Sequence, residues 1–235
     1  MGSFPERTVF TDDDLTFYLQ VCRDSRRAEW CLSHLRGHFP AARVLVISDG
    51  DPDPWLESFV PRFGVEYQVG ERLYALEHGG RMITRMLSAW ECSSDFLFKI
   101  DPDTLVHRRF RWLPGDDLAV FGMGLPTQGG VMGFTRAAGE RLLSSGLLAS
   151  PRLTDPARSW GVMPDGRVNA DLLKMVQCDG RIRFDWVIAW CCRRLGIPQI
   201  WFDEVYSVWR DPVPEDIDVA LSHPHIDIPI DREEL

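Results

Sequence analysis

The chain has 235 residues, 45% hydrophobic and 26% charged, with a formal net charge of −9. That balance excludes a disordered or fibrous polymer, and the length suits a single domain that buries roughly 70% of its unfolded surface without a metal or disulfide staple. No apolar run approaches the ~20 residues that span a bilayer, and the start, MGSFPERTVFTDDD, has no basic-then-apolar secretory pattern, so a soluble cytoplasmic protein is expected.

LTFYLQVC (15–22) reads as a buried first strand. Asp24 or Ser25 then caps a helix running to about His38, with Trp30, Leu32, Leu35 and Phe39 as a rough apolar face and Pro40 as its stop. ARVLVISD (42–49) is a second strand, β-branched in character. GDPDP (50–54) turns the chain, and Pro54 opens a short helix before a third strand, VEYQV (65–69). After Gly79-Gly80, the residues Met82, Ile83, Met86, Leu87 and Trp90 recur at helical spacing, and DFLFKID (95–101) follows as a strand ending on acids. Strand and helix alternating in this way predict a parallel α/β sheet covered by helices, with ligands beyond the carboxyl ends of its strands. Arg23, Asp49 and Asp101-Pro102-Asp103 then share one rim.

The second half is less regular. DLAVFGMG (117–124) and VMGFT (131–135) read as strands joined by a turn over Pro126–Gly130, and RAAGERLLSSGLL (136–148) as a helix. The Pro/Arg/Ser-rich stretch 149–166 reads as a loop, in which Trp160 is either a surface for stacking a ligand ring or plain filler. Helices are expected at about 168–178 and 184–195, the latter stopped by Gly196 and Pro198, and IWFDEVYSVW (200–209) as a closing strand. Six cysteines (22, 31, 92, 178, 191 and 192) form no C-x-x-C pair and mostly lie in apolar stretches, as packing thiols of a reducing compartment do. Residues from Asp211 onward carry eight acids against Arg232, −7 of the total, and the near-neutral remainder offers no basic stripe for nucleic acid.

Asp101-Pro102-Asp103-Thr104 concentrates the chemistry. Two carboxylates two positions apart alternate faces in a continuing strand, but an intervening proline turns the chain so that both can enter one cleft. There they suit Mg²⁺ or Mn²⁺; the plainer reading is a surface Asp-Pro turn. A carboxylate ~4 Å from a phosphate charge costs about 4 kcal/mol at an effective dielectric of 20. An acidic rim therefore accepts a diphosphate only with a dication between them.

FLFKIDPDTLV (96–106) resembles the apolar strand and D-x-D signature of GT-A glycosyltransferases, and most of all the K-x-D-D-D pattern of the Fringe-like and β-1,3-galactosyltransferase group. GGVMGFT (129–135) is similar to that group's glycine-rich segment beside the donor sugar, and FDWVIAWCCRRLGI (184–197) to its E-D-V…L-G-I helix. SHPH (222–225) stands where the late metal-binding histidine falls. The resemblance implies one GT-A domain, a Rossmann-like mixed sheet with a nucleotide-binding half over about 15–103 and an acceptor- and metal-completing half over about 104–225. It implies Mn²⁺ or Mg²⁺ at Asp101, Asp103 and either His223 or His225, with Asp103 the direct carboxylate ligand and Asp101 meeting the ribose or a metal-bound water. Arg23 and Asp49 would meet the nucleoside, Arg81 a phosphate, and Gly129 and Gly130 the donor sugar; each residue also has an ordinary strand-end, helix-surface or hairpin reading. Asp185 would be the base that deprotonates the acceptor hydroxyl, or else an N-cap. Phe184 replaces the family's Glu before that Asp, and Pro102 its middle Asp. The expected reaction moves a sugar from a nucleoside diphosphate, UDP rather than GDP, with inversion. The acceptor would be a glycan, a lipid-linked sugar or a small molecule.

Three other readings share parts of this pattern. A haloacid-dehalogenase-type phosphatase also ends its first strand in D-x-D, with Asp101 as nucleophile, but wants Thr four residues on, where Leu105 stands. A nucleotidyltransferase needs a glycine-rich loop after its first strand, and VCRDSRR has no glycine. A non-catalytic nucleotide-sugar-binding module would bind UDP without turnover.

Overall fold

The computed structural model of the chain describes residues 5–73, 78–124, 126–150, 177–178, 181–182, 184–207 and 214–224. Its strands are β1 (Glu6–Arg7), β2 (Leu15–Val21), β3 (Arg43–Asp49), β4 (Glu66–Gly70), β5 (Phe96–Ile100), β6 (Leu105–Val106) and β7 (Leu113–Pro114). There follow β8 (Val120–Gly122), β9 (Val131–Thr135), β10 (Gln177–Cys178), β11 (Arg181–Ile182), β12 (Gln199–Trp201), β13 (Val205–Ser207) and β14 (Leu221–His223). Among the described residues the α-helices are α1 (Ser25–His38), α2 (Pro54–Phe59), α3 (Gly79–Trp90), α4 (Arg136–Ser144) and α5 (Phe184–Leu195).

Period-two alternation in the strands splits the core into two layers. In β2, Leu15, Phe17, Leu19 and Val21 face α1 and α2, while Tyr18 faces α3. In β5, Phe96, Phe98 and Ile100 join the first layer and Leu97 the second. The first layer is an aromatic cluster in which Phe98 stacks on Phe110 at 4.5 Å and meets Phe121 edge-on at 5.4 Å. Each such ring contributes ~1.5–3 kcal/mol through burial alone. The second layer holds the apolar stripe of α3 with α4 and α5, and Trp90 is wholly buried in it.

The seven-stranded sheet runs β12-β8-β9-β5-β2-β3-β4. β4, β3, β2 and β5 are parallel, β9 is antiparallel to both β5 and β8, and β12 is parallel to β8. The chain builds outward from β2 through β3 to β4, then returns to place β5 on the other side of β2. In an open α/β sheet that reversal opens a crevice outside the strand ends, and here it lies beyond β2 and β5. A second sheet, β13-β14-β6, stands beside it. No described helix is long and apolar enough to cross a membrane.

Several boundaries differ from the sequence reading. The strand expected over 200–209 is two strands in different sheets, because Phe202 is pinned in the core and the chain turns at Asp203-Glu204. The helix expected over 136–148 stops at Ser144, and Gly146 at φ +70° starts a separate 3₁₀ turn, Leu147–Ala149. Of 117–124 only Val120–Gly122 is strand. Asp24 occupies the N-cap position of α1 without a side-chain cap bond. Residues 177–178 end in a hairpin with 181–182 rather than in a helix. The rest of that helix, the stretch 151–166 and Trp160 lie outside the described residues.

Gly133 in β9 is registered between Phe98 of β5 and Phe121 of β8, and a Cβ there would overlap the Phe121 ring. Both rings are fully buried, so they have nowhere to retreat. Gly133→Ala is expected to destabilise the fold by about 2–3 kcal/mol. Urea unfolding should show it as a lower midpoint at unchanged slope.

Candidate functional site

The β5 strand ends at Ile100, and the next four residues form a turn with Pro102 at its second position, closed by Thr104 N–H donating to the Asp101 carbonyl at 3.0 Å. The Asp101 N–H donates to the Gly130 carbonyl at 3.0 Å, extending the β5–β9 ladder by one step. The turn brings both carboxylates to one side. β6 then follows directly and pairs antiparallel with β14, which delivers His223. His223 Nε2 lies 2.8 Å from Asp103 Oδ1 and 3.3 Å from Asp101 Oδ2. One ligand atom from each of the three residues lies within 4.8 Å of the others.

Glycine makes the approach possible. A Cβ on Gly130 would overlap the His223 ring, and a Cβ on Gly129 would sit 3.5 Å from Phe184 Cδ1 and 3.9 Å from Asp185 Cβ. The glycine pair therefore separates the Asp-Asp-His group from the first turn of α5. Lys99 crosses the same gap. Strand alternation points it towards α5, away from the aromatic layer, and its Nζ donates to Asp101 Oδ1 and to the Gly129 carbonyl. Its ammonium lies 5.7 Å from the centre of the Phe184 ring. Lys99 is 7% exposed, so this is a buried charge paired with one carboxylate of the group.

Burial by itself would push the Asp103 carboxyl up, but the His223 hydrogen bond and charge, with the charge of Arg27 on α1, outweigh it and hold Asp103 below the usual range. Burial, and then the charges of Asp103 and Asp101, push the Cys31 thiol up to about 12. Cys31 is thus a neutral packing group beneath the acidic turn, as the sequence reading had it.

The donor set fits a hard dication. An octahedral ion with ~2.1 Å bonds keeps adjacent donors about 3.0 Å apart, and the two imidazole–carboxylate distances, 2.8 and 3.3 Å, bracket that spacing. With the imidazole neutral, as a metal ligand must be, two carboxylates against one Lys99 ammonium leave the group at −1, and a dication brings it to +1, the sign a diphosphate requires. His225 lies outside the described residues.

A cleft of about 880 Å³ opens beyond β2, β3 and β4, lined by Arg23, Asp49, Asp51, Asp53, Glu71 and Arg72 among others. Asp49 is already engaged. Its oxygens accept from Gln20 at 3.1 Å, from the Leu73 N–H at 3.0 Å and from Arg85 at 2.9 Å, with Arg72 3.3 Å away. Asp53 is taken by the Leu56 N–H at 3.0 Å and by the Ser25 hydroxyl, closing the start of α2. Arg23, Asp51 and Glu71 are the exposed charged residues among those that line it. Arg23 has φ +61°, an uncommon left-handed conformation for a non-glycine residue as the chain passes from β2 into α1. Arg81 sits in the first turn of α3 and pairs with Glu71 at the cleft rim. The cleft and the Asp-Asp-His group occupy the ends of neighbouring strands, with Leu19 of β2 paired to Ile100 of β5.

Asp185 is the second residue of α5 rather than its N-cap, 4% exposed, and its Oδ1 accepts from the Trp186 N–H at 3.1 Å. The sequence reading did not give a role to Lys99 or Arg27. Alternation along β5 puts Lys99 on the same face as Asp101, which is the signal that marks it; Arg27 reaches Asp103 only through the packing of α1. Neither a protein-family model nor a curated protein sequence matches the chain.

Proposed function

We propose that the chain is a metal-dependent glycosyltransferase of the GT-A fold, moving a sugar from a nucleoside diphosphate, UDP in the first instance, to an acceptor hydroxyl. The observation that carries this reading is the convergence of Asp101, Asp103 and His223 at the sheet's order reversal, beside a polar cleft of nucleotide size. Four short motifs in family order support it from the sequence side, and the mixed sheet with helices on both faces is compatible with it.

Asp101, Asp103 and His223 would hold Mn²⁺ or Mg²⁺, which when bound supplies positive charge to the leaving diphosphate. Lys99 fixes Asp101 by one oxygen and leaves the other, Oδ2, turned to the centre. Gly129 and Gly130 present backbone rather than side chain to the donor sugar. Asp185 takes the proton from the acceptor hydroxyl as that oxygen bonds to the anomeric carbon; the bond to the phosphate oxygen breaks, and its electron pair leaves with the nucleoside diphosphate. One displacement with one base inverts the configuration.

Thermal unfolding with UDP or GDP, each with Mn²⁺ or with chelator, tests the reading. UDP should raise the melting temperature only with the metal, by an amount that grows as RT ln(1 + [L]/Kd). Equal stabilisation in chelator would remove the metal's role. Stabilisation without release of UDP from any UDP-sugar would favour a binding module.

A further inference from the structure

His223 reaches the acidic turn on a slender support. β14 has three residues; it pairs antiparallel with the two-residue β6 through Leu221↔Val106 and Ser222↔Leu105, and parallel with β13 through Val205↔Leu221, Tyr206↔Ser222 and Ser207↔His223. Pairing this short is marginal on its own, yet the imidazole must keep its place against two carboxylates. Glu204, one residue before β13, ties this small sheet to the turn that follows β6. Its backbone carbonyl accepts the N–H groups of both Ala220 (2.8 Å) and Leu221 (3.2 Å), the residues that lead into β14. Its carboxylate takes a two-pronged pair of bonds from Arg108, at 2.6 and 3.0 Å, and a third from the Arg111 N–H at 2.8 Å. Arg108 also donates to Asp218 through Nε at 2.9 Å and to the Asp218 carbonyl at 3.0 Å. His107 adds its N–H to the Ala220 carbonyl at 2.9 Å and shares a 2.8 Å bond between Nε2 and Ser222 Oγ.

We propose that the Glu204–Arg108 pair positions His223 for the cation, so that this pair sets the affinity of the centre. It joins the segment that follows Asp103 to the strand that carries His223. The Glu204 side chain is 5% exposed, so a loosened partner is left with an uncompensated buried charge rather than a solvated one. Arg108 acts by its planar fork, which matches both carboxylate oxygens at once and which a lysine cannot reproduce. Both are positioning residues: they act through His223 and touch neither cation nor substrate.

This inference rests on the cation centre of the proposed function, and the test separates the two. Mn²⁺ is titrated into the full chain and free Mn²⁺ read by electron paramagnetic resonance, at a temperature where each variant melts cooperatively well above the measurement. Glu204→Gln and Arg108→Lys should each weaken Mn²⁺ binding about 10- to 100-fold, as loss of a ligand's supporting partner does. In a His223→Ala background, Glu204→Gln should produce no further loss, because its route to the cation is gone. A folded Glu204→Gln or Arg108→Lys protein that binds Mn²⁺ as tightly as wild type overturns the proposal, as does an undiminished effect in the His223→Ala background. If one variant does not fold, the other carries the test. Wild-type protein that binds no Mn²⁺ removes the cation centre itself and this role with it.

Discussion

Asp103→Ala should abolish the Mn²⁺-dependent stabilisation by UDP. At a UDP concentration 100 times its dissociation constant, the wild-type protein gains about 2.7 kcal/mol from nucleotide binding, and the variant should gain none. The substitution removes one of the three ligand-bearing side chains that come together among the described residues, and the 2.8 Å partner of His223 Nε2. Asp101 cannot compensate, because one of its oxygens is held by Lys99. Without the dication, any phosphate meets a carboxylate rim, at a cost of about 4 kcal/mol for each close pair.

The same residue sets an acid limb. Its pKa in the folded chain is lowered from 3.8, so its contribution to stability is fully present above that value and is lost as pH falls through the lower, folded one. Acid titration of wild type against Asp103→Ala should therefore show wild type losing this contribution as pH falls below the carboxylate range, a loss the variant lacks. A wild-type midpoint unmoved by UDP and Mn²⁺ together, at concentrations where isothermal titration detects binding, would separate the nucleotide from the folded state and sink the expectation.

Much of the architecture was legible because the first hundred residues obey simple periodicities. The β-branched run of β3 and the Met82–Trp90 stripe of α3 are strong local signals, and Pro54 marks the start of α2 within the sequence itself. Asp101 and Asp103 could be singled out because a proline between two acids at a strand end is a local device. The remaining parts of the site are held by contacts between distant positions. Arg108 and Glu204 are 96 residues apart, and two-residue strands such as β6 have no period to detect. Phe202 looks like a mid-strand residue in IWFDEVYSVW, yet it packs against Phe110, Trp112 and Phe121, and that burial forces the chain to leave one sheet for another. Tertiary packing overrode local pattern there. His223 was found through its place in a motif order, since nothing in SHPH itself says that a glycine at 130 leaves room for the ring.

Asp185→Asn should leave UDP and Mn²⁺ binding within about twofold and lower turnover by 10²–10⁴, the usual contribution of a positioned general base. Asparagine keeps the shape against Gly129 and can still accept from the Trp186 N–H, so the first turn of α5 should hold. What it loses is the ability to take a proton, and with it a charge near the helix amino end worth about 0.3–1 kcal/mol of stability. The measurement is UDP released from a panel of UDP-hexoses, with water or added glycans as acceptor, alongside calorimetric UDP binding. Those two readouts divide the roles. Turnover that survives intact leaves Asp185 as a partner of the helix end, and the proton must go elsewhere. Joint loss of turnover and binding would mean that Asp185 holds the Gly129 face in shape for the donor. Loss of turnover alone identifies the acceptor of the proton, because the Asn side chain fills the same space beside Phe184 and differs only in its chemistry.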